Sequence, residues 1–374
     1  MAGAVRGLVV PHSMRRGGAV VVGLVLALTA LACTQDVQPV TTATAPGVVV
    51  RQRLDVKDMT AKQKAAFVAA VRTLQVTPSP EDPSYSWYEQ FVAWHRAAFS
   101  CAQARGPVGA AHNSPLFLPW HRQYLIRFEN ALQQVSNDPS IRLPYWDWTD
   151  PASTKAVYSV DMMGPDGDPA QDYAVTSGPF AKGVYQLRVL DPETVQGQIA
   201  PQDPFLVRRF GVYGDSTVKL PTSADVRDVI AAPSYDAVPW NAGSPDSKSF
   251  RNAIEGWRGA EYPECTDGWQ TITEVPGAPH VMHNVVHIWA GGIWKDGGGK
   301  ARAGSIVYNT SPNDPVFFLH HANIDRLWSV WQSSSSEQFP TEASGYTPQS
   351  TMWPWFDRRI DSLYSTKALG YTYG

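Results

Sequence analysis

The chain of 374 residues carries 31 Lys and Arg against 34 Asp and Glu, so its net charge of −3 gives no electrostatic case for nucleic acid or an anionic membrane surface. Hydrophobic residues make up 43% and charged residues only 17%, below the roughly 25% usual in soluble domains, and 14 Trp, 15 Tyr, 29 Gly and 30 Pro fill the difference. This is the composition of a globular, loop-rich chain pinned by large aromatics, and nothing after residue 33 is long and apolar enough to span a bilayer.

Residues 1–32 read as an export signal. Arg6, Arg15 and Arg16 give a positive start, Ala19 to Ala32 is an almost unbroken apolar run, and Ala30-Leu31-Ala32 is a small-x-small cleavage site. Cys33 follows directly, as in a bacterial lipoprotein signal, although Ala30 stands where Leu is usual. The expected destinations are the periplasm, the cell surface as a lipoprotein tethered to the membrane through Cys33, or the exterior. Residues 33–55, rich in Thr, Ala, Pro and Gln at their start, read as a flexible tether, which leaves 56–374 as the folded domain. In an exported chain Cys101 and Cys265 are a candidate disulfide, with two free buried thiols as the alternative.

Thr60 and Gln63 form a capping-box pattern opening a helix over 61–74, with Phe67, Val71 and Leu74 on one face. A second helix is predicted over 85–99, carrying His95. A loop over 106–115 holds His112, and a third helix begins near Pro119 and runs to about 135, with His121, Leu125, Phe128 and Leu132 along one side. Residues 150–248 are dense in Gly, Pro and Asp and read as long loops with short helices or strands on the same domain. Helical periodicity returns at 249–257 and 283–289, and a last helix is predicted over 318–332.

Of the nine histidines, His12 lies in the signal region. The others fall into two groups, His95, His112 and His121, then His280, His283, His287, His320 and His321. His283 and His287 are four apart and share one helix face, so both can reach one ion. A zinc hydrolase of this spacing would want Glu after the first His, where this chain has Asn284. Imidazole-only sites suit copper, and three nitrogens per ion leave room for an external ligand.

The stretch from His112 through Phe117, Trp120 and His121 to Glu129 resembles the first copper-binding signature of the tyrosinase family, and Asp314 to Trp328 resembles the second. Phe91 to His95, Leu143 to Trp148 and Gly370 to Tyr373 are similar to further landmarks of that family. The resemblance spans about residues 56–374. It implies a mainly α fold, an antiparallel four-helix bundle holding a dicopper site, wrapped by long loops and a few short strands. It places His95, His112 and His121 on one copper and His283, His287 and His321 on the other. His320 is then expected to point into a buried hydrogen bond, and His280 to be a surface or structural residue. Asp325 and Asp314 are candidates to fix the second nitrogen of a ligating imidazole. Phe117, Trp120, Phe317 and Phe318 are expected to wall the site. Ala110 stands where some members have a Cys joined to the histidine, so that thioether is absent.

The resemblance further implies a dioxygen-using oxidase that converts o-diphenols to o-quinones, with ortho-hydroxylation of monophenols. Family members use a Glu and an Asn beside the second copper to hold a water that deprotonates the phenol. Asn284 and Glu255 match those positions, with Glu274 as the alternative for the Glu. Tyr308 falls where an aromatic gate would favour diphenols over monophenols, so a catechol-only oxidase is one alternative. A dioxygen carrier like a haemocyanin unit, without turnover, is another. Phenols, catechols and O2 are the expected partners, and a copper-delivery protein is a candidate partner.

Overall fold

The computed structural model describes residues 50–98, 111–191, 199–256, 281–335, 338–339 and 345–374. The export signal with His12, Cys33, Cys101, Cys265, Glu274 and His280 lie outside the described residues.

The chain enters the fold earlier than expected. Strand β1 (Arg51–Arg53) pairs in parallel with β8 (Tyr371–Tyr373), in the register Arg51 with Tyr371 and Arg53 with Tyr373. The tether predicted to run to residue 55 therefore ends before Arg51. The reason is electrostatic. Arg53 is fully buried, its Nε donates to Glu129 at 2.9 Å, and its guanidinium lies 3.8 Å over the Tyr371 ring. A buried arginine with such partners anchors its strand, which composition alone does not announce.

Helix α1 (Ala61–Leu74) has the expected capping box, with the Gln63 N–H on the Thr60 hydroxyl at 3.2 Å and the Thr60 N–H on the Gln63 side chain at 2.9 Å. Phe67, Val71 and Leu74 are buried, as their spacing predicts. Helix α2 (Trp87–Ala98) follows, then α3 (Phe117–Ser136). Pro119 sits in the first turn of α3, where a missing N–H leaves no bond unmade, and Asn137 ends the helix in the left-handed region at φ 48°.

The middle of the chain is irregular as expected, with α4 (Pro151–Val157), β2 (Val212–Tyr213), β3 (Ser216–Thr217), α5 (Ser223–Ile230) and α6 (Phe250–Glu255). Its loops are held by charge as much as by apolar contact. Arg208, fully buried, makes two bonds of 2.7 Å to the Asp314 carboxylate and donates to the carbonyls of Met163 and Gly164. The remaining elements are α7 (Met282–Gly291), β4 (Ile293–Lys295), β5 (Ala301–Ala303), α8 (Val316–Ser334), β6 (Thr351–Met352) and β7 (Trp355–Arg359). Strands β3, β2, β4 and β5 form one small sheet in that order. The fold is helix-dominated.

Helix α8 is buried on nearly every side, from Val316 to Trp331, and packs against α3 and α7. Two glycines let the surrounding backbone close on this core. Gly256 ends α6 at φ 98°, and a Cβ there would lie 2.0 Å from the Val281 carbonyl, so only glycine lets α6 abut the start of α7. A Cβ on Gly304 would stand 2.2 Å from the Gly291 carbonyl, which brings the 304–313 loop against the end of α7.

Candidate metal centre

Each histidine owes its place to one of these elements. His95 is on α2, His112 on the loop before α3, His121 on α3, His283 and His287 one turn apart on α7, and His320 and His321 on α8. The ligand atoms of His95, His112 and His121 all lie within 4.8 Å of one another, and so do those of His283, His287, His320 and His321. The two clusters are adjacent, with the His121 and His321 rings stacked at 4.2 Å.

Hydrogen bonds at Nδ1 fix the tautomers. The Nδ1 of His95 donates to the Asn309 carbonyl at 2.7 Å, that of His121 to the Phe117 carbonyl at 2.8 Å, and that of His287 to the Ile306 carbonyl at 2.6 Å. The Nδ1 of His283 donates to Oδ1 of Asn284 at 2.8 Å, with the Glu255 carbonyl at 3.3 Å. A carbonyl only accepts, so each of these rings presents Nε2 as its lone-pair nitrogen. The Nε2 of His283 lies 3.0 Å from that of His287 and 3.2 Å from that of His321.

Lone pairs so placed repel unless a proton or a cation lies among them. A proton is disfavoured. Burial pushes His121 down to about 3, partly opposed by its bond to Phe117, and burial pushes His287 down to about 4. His95, His112, His283, His320 and His321 are held well below the usual imidazole range, by burial first and by neighbouring imidazoles second. With Nδ1 holding the one proton of His95, His121, His283 and His287, their neutral Nε2 atoms face into the clusters, a donor set fitted to copper.

Three expectations about the rings and their immediate surroundings need correction. Neither Asp325 nor Asp314 steadies an imidazole. Asp314 is taken by Arg208, and Asp325 accepts from Arg122 at 2.5 Å and from the Tyr371 hydroxyl at 2.7 Å. Backbone carbonyls hold His95, His121 and His287 instead, and they leave no mark in a sequence, while the Asn284 side chain holds His283. The only hydrogen bond of His320 among the described residues is a loose one to the His283 backbone, outside ordinary geometry. It is fully buried within the second cluster, stacked on His283 at 5.0 Å and near Trp148 at 5.3 Å. Phe318 is not a wall of the site, since it packs on Phe128 and Tyr124 in the core. Phe117, Trp120 and Phe317 do line it, with Phe317 stacked 4.0 Å from His321, Phe117 4.9 Å from His121 and Trp120 5.0 Å from His121.

Glu255 and Asn284 are brought together beside the second cluster. Glu255 is fully buried at the end of α6, its Oε2 taking Arg251 at 3.0 Å and its Oε1 taking the Asn113 N–H at 2.7 Å. Arg251 and Asn113 belong to the site and were not anticipated. Tyr308 is not the expected gate. Its hydroxyl donates to the Ala200 carbonyl at 2.8 Å, and among the described residues its ring contacts none of the histidines.

Residues 85–334 match the family model described as the common central domain of tyrosinase. The chain is 37% identical over 308 residues to a tyrosinase of Streptomyces lincolnensis, covering 80% of this chain and 90% of that one. The chain belongs to the tyrosinase family. It is likewise 34% identical over 343 residues to the grixazone synthase of Streptomyces griseus subsp. griseus, covering 84% of this chain and 96% of that one. A latent aurone synthase (polyphenol oxidase) has the same fold, with a TM-score of 0.51 and 17% identity over 87% of this chain and 58% of that one. This family member is a copper-dependent oxidoreductase, and two copper ions are its cofactor.

Proposed function

We propose that this enzyme uses dioxygen to oxidise o-diphenols to o-quinones and also hydroxylates monophenols at the ortho position. The observation that carries the reading is the pair of buried imidazole clusters with their rings 4.2 Å apart at His121 and His321. His95, His112 and His121 would hold one copper, and His283, His287 and His321 the other. When bound, the two ions supply dioxygen binding and the exchange of an electron pair.

The chain does the rest. Phe117, Trp120 and Phe317 exclude water from the rings, and the backbone carbonyls keep Nε2 facing inwards. Every diphenol must also lose protons as it becomes a quinone, so the site needs a proton acceptor at its edge. Asn284 supports that role, because its Nδ2 is buried without a hydrogen-bond partner among the described residues and can donate to a phenol or water oxygen. The Glu255 carboxylate, held in place by Arg251 and Asn113, is the candidate to receive the proton through a water. The anchoring of the Tyr308 hydroxyl on Ala200 supports access for monophenols as well as diphenols.

Oxygen uptake by the copper-loaded protein on a monophenol and on its o-diphenol tests the reading. Turnover of both is expected. A protein that holds two coppers and binds dioxygen yet oxidises no catechol would be a carrier, and the proposal would fail. We also infer that residues 1–32 direct export, that Cys33 is lipidated after cleavage, and that a copper-delivery protein loads the site. Mass spectrometry of the mature N-terminus reads the first two, and copper content after expression with and without accessory proteins reads the third.

A further inference from the structure

We propose that Asp191 is a positioning residue for one copper only, acting on His95 through the peptide group between Asn309 and Thr310. The carbonyl of that peptide accepts from Nδ1 of His95 at 2.7 Å. Its N–H, on Thr310, donates to Oδ2 of Asp191 at 3.0 Å. The other oxygen, Oδ1, takes Nε of Arg96 at 2.7 Å, and Arg96 directly follows His95 on α2. A ring therefore closes from His95 through Asn309, Thr310, Asp191 and Arg96 back to His95.

Metal-binding imidazoles are commonly oriented by a carboxylate on the far nitrogen, which also raises the basicity of the ligating one. Here one peptide is inserted between the two. A carboxylate on the N–H end of an amide polarises it and makes its carbonyl oxygen a stronger acceptor, because hydrogen bonds in series reinforce one another at low dielectric. The arrangement is built in place. Asp191 is only 4% exposed, its own N–H is 3.3 Å from Oε1 of Gln202, and the Gln202 N–H returns to the Asp191 carbonyl at 3.1 Å. The same Gln202 oxygen takes the Thr310 hydroxyl at 2.6 Å.

His287 provides the internal comparison. Its acceptor is the Ile306 carbonyl, but the N–H of that peptide, on Val307, ends on the neutral Gly304 carbonyl at 3.0 Å. Among the described residues the charged relay thus serves the cluster of His95, His112 and His121 and not the other.

This inference rests on His95 being a copper ligand, and the experiment separates the two claims. Wild type, D191N, D191A, T310V and H95A are loaded with copper, and release of each ion to chelators of graded strength is followed by metal content. In D191A one ion is expected to leave about 10- to 100-fold more readily, the usual effect of losing such a partner, while the other is unchanged. D191N keeps an acceptor for the Thr310 N–H without the charge and is expected to fall between; it carries the test if D191A does not fold. T310V keeps the peptide relay and loses only the longer contact of the Thr310 hydroxyl with Oδ2 of Asp191, at 3.3 Å, so it is expected to lie closer to wild type than D191N does. Wild-type release in D191N, equal weakening of both ions, or a T310V effect as large as that of D191N would overturn the proposal. Retention of both ions by H95A would instead overturn the ligand assignment.

Discussion

The backbone N–H of Asn113 donates to Oε1 of Glu255 at 2.7 Å, so the residue after His112 is held by a side chain whose own carbonyl faces His283 at 3.3 Å. Glu255 thereby links the two clusters, through its carboxylate to the residue after His112 and through its main chain to His283. Asn113 is in the left-handed region at φ 55°, a conformation that its short polar side chain tolerates and that the bond to Glu255 helps to keep.

Glu255→Gln preserves shape but puts an NH2 group against either Arg251 or the Asn113 N–H. The change should cost about 2 kcal/mol of stability, the range for a lost hydrogen bond to a charged group. Urea denaturation of the metal-free protein measures it. In the loaded enzyme monophenol turnover should fall more than diphenol turnover, since the monophenol must be deprotonated first. Equal loss on both substrates would leave Glu255 a structural role alone.

Asn284→Ala removes the Oδ1 that fixes the His283 ring at 2.8 Å and leaves only the more distant Glu255 carbonyl. Copper held by the second cluster should then be released about 10-fold more readily, with the first ion unaffected. Chelator titration reads both ions in one experiment.

The buried histidines predict acid sensitivity of the metal-free protein. Their folded pKa values lie below 6.5, at about 3 for His121 and about 4 for His287, so the unfolded chain binds more protons between these values and 6.5. Stability is therefore complete above pH 6.5 and declines as pH falls towards 4, by about 3 kcal/mol for His287 alone. Melting temperature against pH checks this, and a flat profile between pH 6.5 and 4 would contradict it.

Asp325→Ala strips the shared partner from Arg53 and Arg122, both fully buried, and from the hydroxyls of Tyr371 and Tyr373. Burial opposes ionisation of this carboxyl, but Arg122 and Arg53 hold it below the usual range. Removing it should cost about 3–5 kcal/mol. The loss should show as an earlier urea midpoint together with fraying of β1 from β8.

The helices were legible where apolar spacing and caps coincide, as at Thr60, Gln63 and Phe67. His112, His121 and His321 were legible because two long motifs fix their positions, His283 and His287 because they stand four apart on a helix, and His95 from a shorter segment. What steadies the histidines was not. Asn309 and Ile306 act through carbonyl oxygens that any residue carries, so no side-chain pattern marks them. Asp191 sits in the irregular middle segment, where no periodicity singles out one Asp among many. Asp314 and Asp325 misled for the opposite reason: they stand within the histidine motifs, but buried arginines distant in sequence claim them. Tyr308 was misjudged because the path of its loop is set by Gly304 and Ala200, not by local propensity.

The choice of acceptors around the rings also sets the charge of the pocket. Carbonyl oxygens carry dipoles but no net charge, and the Glu255 carboxylate is matched by Arg251. Two copper ions seated among such neighbours would keep most of their positive field in so buried a site. The pocket should therefore behave as an anion receptor, drawing phenolate ahead of phenol and leaving the enzyme open to inhibition by small anions that compete for the same field.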